Sequence, residues 1–273
     1  MKLDYGTLLG TAPLILENGL HIRSPLLKEI SEITFPVYQS YLAALMLDKE
    51  SYFYGIEHEQ FQYLSNYSEK EKQALKKIRS EYESFTEEEK NSMLFMDIII
   101  FDPIVVYSLE QALSFFSGCQ LTYSQQNQGF IQEDEKNFVC FIPKASYPVI
   151  ADLILQRNGV LTKDSKTEKP VFKNELAKTL YDRTQKAQQK NSTGKKADKN
   201  MDLPNIISAV SARHPSLNIH NIWDITVYQL YDQFKRLQVN SFYDIQSMTV
   251  AAWGDEKKQF DASQWYRNLI TEN

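Results

Sequence analysis

Residues 222–265, IWDITVYQLYDQFKRLQVNSFYDIQSMTVAAWGDEKKQFDASQW, carry the strongest structural signal in the chain. Val227, Leu230, Tyr231, Phe234 and Leu237 recur at the spacing of one helical face, while Gln229, Asp232, Gln233, Lys235 and Arg236 take the other side. This predicts a helix capped by Asp224 or Thr226. A second helix is predicted to follow, with Ser241 as its cap, Phe242, Ile245, Met248 and Ala252 as its apolar set, and Gly254 just past its end. Trp265 and Leu269 sit four apart and predict a short third helix starting near Asp261. All three tryptophans of the chain, Trp223, Trp253 and Trp265, lie in this region. They read first as core or interface anchors, because each buries a large area with two torsions to freeze.

Outward from this stretch, composition sets the class. The chain has 273 residues, 42% hydrophobic and 12% aromatic, enough for a packed core in one large or two ordinary domains. A net charge of −5 argues against a whole-protein nucleic-acid binder. No secretory signal or membrane-spanning helix is read. The greasiest run, 96–107, is interrupted by Asp97, Asp102 and Pro103 and is too short to cross a bilayer. Cys119 and Cys140 fit no metal or redox motif and read as reduced, buried thiols.

Toward the N-terminus, Asn18-Gly19 between two apolar triplets predicts a hairpin. Ser24-Pro25 predicts a helix start, with Leu26, Leu27, Ile30 and Ile33 buried; Pro36 ends or kinks that helix, and another follows from Val37 to Leu47. An aromatic-rich stretch, 51–67, reads as packing. Ser68 with Glu71 and Thr86 with Glu89 are capping boxes. The run 98–101 suits a strand or a helix start, and periodicity leaves both open. Leu109–Phe116 predicts a helix closed by Gly118. Strands are predicted over 121–123, 129–131 and 137–142, with 133–136 as a turn, and then a helix over 149–156. The fold class is therefore α+β and mostly α-helical. An N-terminal domain with a small antiparallel sheet spans 1–182, and a small all-α, aromatic-rich module spans 201–273. Between them, 183–200 holds six basic residues against one acid and reads as a flexible basic linker. Its lysines, Lys186, Lys190, Lys195, Lys196 and Lys199, have no interleaved aromatic to stack on bases. Asp202 and Pro204 open the module's first helix, which His214-Pro215 ends.

Chemistry is sparse. His214 and His220 flank a proline turn without a cysteine partner or helical i, i+4 spacing, so no metal site is read. His21 and His58 are isolated. Asp97 and Asp102 form the best carboxylate pair, but no Lys or His lies near them in sequence, and a cap at one with a turn at the other explains both. No nucleophile elbow or phosphate-cradling loop occurs, so neither catalysis nor a cofactor is expected.

In the order of its segments the chain resembles tail-morphogenesis proteins of bacteriophages that infect Gram-positive bacteria. The resemblance rests on IRSPLLKEISEI (22–33) after the hairpin, YLAALMLD (41–48), the Lys-rich spacer, NIWDITVYQLYDQFKRLQ (221–238) and QWYRNL (264–269). It is similar to a tail assembly chaperone, although longer than the usual short form. The resemblance implies a non-enzymatic factor of the host cytoplasm that binds the tape-measure protein or another tail protein, with self-association left open. The alternative is a structural tail or baseplate component of the virion. Helical clients need apolar, aromatic surfaces, and Trp223, Tyr228, Tyr231, Phe234, Trp253 and Trp265 are the expected partner-binding residues.

Overall fold

The computed structural model describes residues 2–16, 19–61, 64–65, 67–134, 137–160, 201–256 and 260–268. The basic linker with its five lysines, Asn18, Leu269 and the tip of the 133–136 turn lie outside the described residues. Among those described are eleven α-helices and two small antiparallel sheets. The fold is α+β and mostly helical. The chain divides into two compact units: Met1–Leu161 with Asp224–Gln229, and Thr162–Trp223 with Leu230–Asn273.

The first unit opens with α1 (Tyr5–Leu9) and the expected hairpin, β1 (Leu14–Ile15) against β2 (His21–Ile22), with Gly19 at φ +78°. Ser24 does not cap the next helix. Helix α2 (Leu27–Ile33) starts later, its entry set by the Glu29 carboxylate, which accepts from Leu26 N at 2.7 Å. Pro36 ends nothing: Thr34 takes φ +77° between helices, and Pro36 sits in the first turn of α3 (Phe35–Leu45), where a missing N–H is harmless. Helix α4 spans Lys49–Glu57. Both capping boxes form, at α5 (Glu69–Ser84) and α6 (Glu87–Ser92).

The ambiguous run 98–101 belongs to the helical option. Phe95–Ile99 is α7, and Pro103–Ser117 is α8, which starts six residues earlier than expected because Asp102 caps it and Pro103 occupies its first position. Helix α8 is the centre of this unit, with Leu109, Ala112, Leu113 and Phe116 buried. Its polar groups fasten the sheet: Glu110 accepts from Tyr123 N at 2.7 Å and Ser114 Oγ from Leu121 N at 2.8 Å. The sheet is β3 (Thr122–Ser124), β4 (Gly129–Asp134) and β5 (Asn137–Pro143), ordered β3-β4-β5. Helix α9 (Tyr147–Arg157) follows, with Gly159 at φ +74° beyond it. Gly118 ends α8 at φ +72°, a region that disfavours a Cβ, and a Cβ there would meet Arg23 Nε at 3.4 Å. Gly118→Ala is expected to destabilise the protein by about 1–2 kcal/mol in urea denaturation. An unchanged midpoint would mean that this helix end is not held as described.

Residues 224–229 complete the first unit. Leu27 N donates to Ile225 O at 2.9 Å, Leu26 bridges Thr226, Lys28 Nζ reaches Asp224 at 2.8 Å, and Gln229 Nε2 donates to Leu9 O at 2.8 Å. Of the two expected caps, Thr226 is the one used. Its Oγ1 accepts from Gln229 N, and Gln229 Oε1 accepts from Thr226 N. The second unit contains α10 (Leu203–Arg213), capped by Asp202 with Pro204 in its first turn and burying Leu203, Ile206, Ile207 and Val210. It also holds most of α11 (Val227–Trp253).

Candidate functional site

Where two helices were expected across 227–253, the chain forms one of 27 residues. No Gly or Pro interrupts it, and Ser241 does not cap: its hydroxyl donates back to Leu237 O at 2.6 Å, an i−4 bond that satisfies it inside a continuous helix. Gly254, at φ +78°, follows the last turn. The two expected apolar sets therefore merge. At the helical repeat, Val227, Leu230, Tyr231 and Phe234 share one side with Ile245, Met248 and Ala252, and Phe242 borders it.

Burial along that side falls away toward the C-terminal end of the helix. Val227 and Leu230 are 2% and 0% exposed; Phe242, Ile245 and Met248 are 52%, 60% and 64% exposed, and Trp253 reaches 84%. Of the six expected partner-binding residues, Trp253 and Trp265 are exposed, while Trp223, Tyr228, Tyr231 and Phe234 are half-buried. Trp223 Nε1 donates to Ile219 O at 2.8 Å, and burial pushes the Tyr231 phenol up from its ordinary value. The third expected helix is a 3-10 turn, Gln264–Tyr266, in which Trp265 and Tyr266 form an edge-to-face pair at 5.0 Å, both exposed. Arg236 donates to Arg267 O at 2.8 Å, and Tyr243 packs on Phe260 at 5.5 Å, so the segment after Gly254 returns alongside α11. Phe242, Ile245, Met248 and Tyr266 escaped the partner reading because helical periodicity marks an apolar face without saying whether anything covers it.

Residues 193–269 match the family model of the YomV second domain. YomV is a phage-associated protein, and this stretch is similar to its second domain. The match spans α10, α11 and the Trp265-Tyr266 turn, less than half of the chain. No curated protein and no solved structure matches.

In the matched stretch the histidine near the proline turn has a structural task. His214 Nδ1 accepts from Leu217 N at 2.9 Å, and Nε2 lies 3.2 Å from Gln233 Oε1, an arrangement that puts the proton on Nε2. In the first unit, the carboxylates Asp97 and Asp102 each serve a helix start. Asp97 accepts from Leu94 N at 3.1 Å and from Lys144 Nζ at 2.6 Å. Asp102, fully buried, accepts from Val105 N at 3.2 Å, Tyr52 Oη at 2.9 Å and Tyr67 Oη at 2.6 Å. Burial, and then the hydrogen bond to Asp102 and its charge, push the Tyr67 phenol well up, so it stays a donor. The sequence predicts a cap and a turn here; Asp102 is the cap of α8, Asp97 lies inside the first turn of α7 and reaches back to Leu94 N, and two tyrosines and a lysine join them from distant segments.

Among the described residues, no group of three or more His, Cys, Asp or Glu is placed to hold a metal ion. No described helix is long and apolar enough to cross a membrane. A hollow lined by Ile56, Glu59, Leu64, Lys72, Leu75 and Lys76 has room for about one water-sized molecule. Both cysteines are free thiols, as expected, but only Cys140 is buried; Cys119 is half-buried, with its Sγ 3.1 Å from Ser117 Oγ.

Proposed function

We propose that the matched stretch, as a phage-associated domain, docks an amphipathic helix of a tail protein, the tape-measure protein being the expected partner, on the second half of α11. The protein then acts in the host cytoplasm as a non-enzymatic tail assembly factor. The observation that carries this reading is the uncovered apolar stripe: a side that is buried at Val227 and Leu230 is open to water at Ile245, Met248 and the neighbouring Phe242 and Trp253. Contiguous exposed apolar surface of this kind favours a protein partner over a small ligand. Covering each of these side chains contributes about 1.5–3 kcal/mol before the cost of association. Trp265 and Tyr266 add further exposed ring surface in the same domain.

The test is capture of the purified tape-measure protein of the same phage by the full-length chain. Ile245→Gln combined with Met248→Gln is expected to weaken capture at least about tenfold while moving the unfolding free energy by no more than about 0.5 kcal/mol, because glutamine keeps helix propensity and both sites are exposed. Capture that is absent in the unaltered protein, or indifferent to the double change, sinks the reading. Mass spectrometry of purified virions distinguishes an assembly factor, which is left behind, from a tail or baseplate component, which stays.

A further inference from the structure

The second half of α11 has two opposite sides, and the returning segment takes one of them. Arg236 and Tyr243 share that side: Arg236 donates to Arg267 O at 2.8 Å, Tyr243 packs on Phe260 at 5.5 Å, and Asp255 accepts from Phe260 N at 2.9 Å. Ile245, Met248 and Ala252 project the other way, bordered by Phe242 and Trp253. The four large side chains among them stay 52–84% exposed.

The order of side chains along this stripe reads nearly the same from either end. Phe242 and Trp253 place a ring at each end, Met248 stands at the middle, and Ile245 and Ala252 lie at similar distances on either side of it, one large and one small. Turned end for end and laid on itself, the stripe sets Met248 on the partner's Met248, Ile245 on the partner's Ala252 and Phe242 beside the partner's Trp253. Large side chains then meet small ones, and rings meet rings. Charge agrees with that direction. The exposed Asp244 falls level with the partner's Ala252, about 12 Å along the axis from the partner's Asp244, while Asp255 and Glu256 fall beside the partner's Ser241 and Asn240. A parallel pair in register would instead bring Asp244 near the partner's Asp244 and align the two helix dipoles in the same sense.

We infer that, with no client bound, a second copy of this chain covers the stripe, in a reversible antiparallel pair of α11 helices centred on Met248. At about 150–250 Å² for each large side chain, the four exposed ones offer roughly 500 Å² per copy and about 1,000 Å² in the pair, the lower limit for a specific interface. The pair is therefore weak. The inference rests on the docking reading for its purpose: the same side chains serve both occupants, so the second copy keeps them out of water until a client helix displaces it.

Full-length protein is followed by sedimentation velocity, in reductant, from about 1 to 200 µM. The expected result is a monomer at the lowest concentration and a dimer at the highest, with Ile245→Gln combined with Met248→Gln weakening the pair at least about tenfold. Direction is read by oxidation without reductant. Met248→Cys is expected to give a dimer linked through position 248, whereas Phe242→Cys is not expected to link, because its two copies lie roughly 18 Å apart along the axis. Peptide mapping separates these bonds from any made by Cys119 or Cys140. A monomer throughout the range, a dimer indifferent to the double change, assembly beyond two copies, failure to link at 248, or linkage at 242 would each overturn the inference. Capture of the tape-measure protein by a chain that is always monomeric removes this inference and keeps the docking reading; a stripe-dependent dimer without capture does the reverse.

Discussion

Asp102→Ala is expected to lower the unfolding free energy by about 4 kcal/mol, the largest effect of any single polar substitution in the first unit. The carboxylate is fully buried and does three things at once: it caps α8 at Val105 N and accepts from the hydroxyls of Tyr52 and Tyr67. A lost cap costs about 1 kcal/mol and each hydrogen bond to a charged acceptor about 1.5–3 kcal/mol, with incomplete additivity because all three share one group. The consequence extends beyond the helix start, since Tyr52 also packs on Phe53, Phe61 and Phe95 and aligns α4 with α7. Asp102→Asn retains size and one acceptor oxygen and should recover roughly half of the loss. Urea denaturation followed by circular dichroism checks both. A cost below about 1 kcal/mol for the alanine variant would show that the carboxylate serves only as a cap.

Arg157→Met is expected to cost about 3 kcal/mol and to loosen the first dozen residues. The guanidinium is 1% exposed, and burial pushes its pKa down from the ordinary value, though an arginine remains charged. It donates from Nε to Ser24 Oγ at 2.7 Å and from Nη2 to Gly10 O at 3.1 Å and Ala12 O at 3.0 Å. Methionine fills similar volume but satisfies none of these acceptors, each of which then carries a desolvation cost of about 1 kcal/mol or more. The measurement is urea denaturation paired with limited proteolysis, and cleavage should appear before Leu14. Normal stability with unchanged cleavage would mean that the segment is held by other contacts, such as Leu3 N on Gln156 Oε1.

These two residues mark the limit of what the sequence made legible. Local signals worked: Gly19 between two apolar runs, Ser68 with Glu71, Thr86 with Glu89, Asp202 ahead of Pro204, and Gly118 after α8 each specify a geometry within a few residues of themselves. The α+β, mostly helical class followed from them. Ser24, Pro36 and Ser241 were misread because each fits a second local role as well as the expected one, and distant groups decide which is used. Ser24 serves Arg157, Pro36 opens a helix that Thr34 makes room for, and Ser241 bonds along its own helix. Arg157 gave no signal at all, since the carbonyls it serves are backbone atoms some 145–150 positions away. As for the candidate surface, periodicity found the apolar positions on α11, but coverage by the rest of the fold is not a local property.

The exposure of Trp253 has a practical outcome. An indole in contact with water emits at longer wavelength and is open to collisional quenching by iodide, and at 84% exposed Trp253 meets both conditions, while Trp223 is half-buried with its N–H tied to Ile219. The protein therefore carries an intrinsic optical probe at the end of its longest helix. Occupancy of that helix can be followed without labels, as a blue shift and a loss of iodide sensitivity that Trp253→Phe should reduce, the remainder coming from the exposed Trp265.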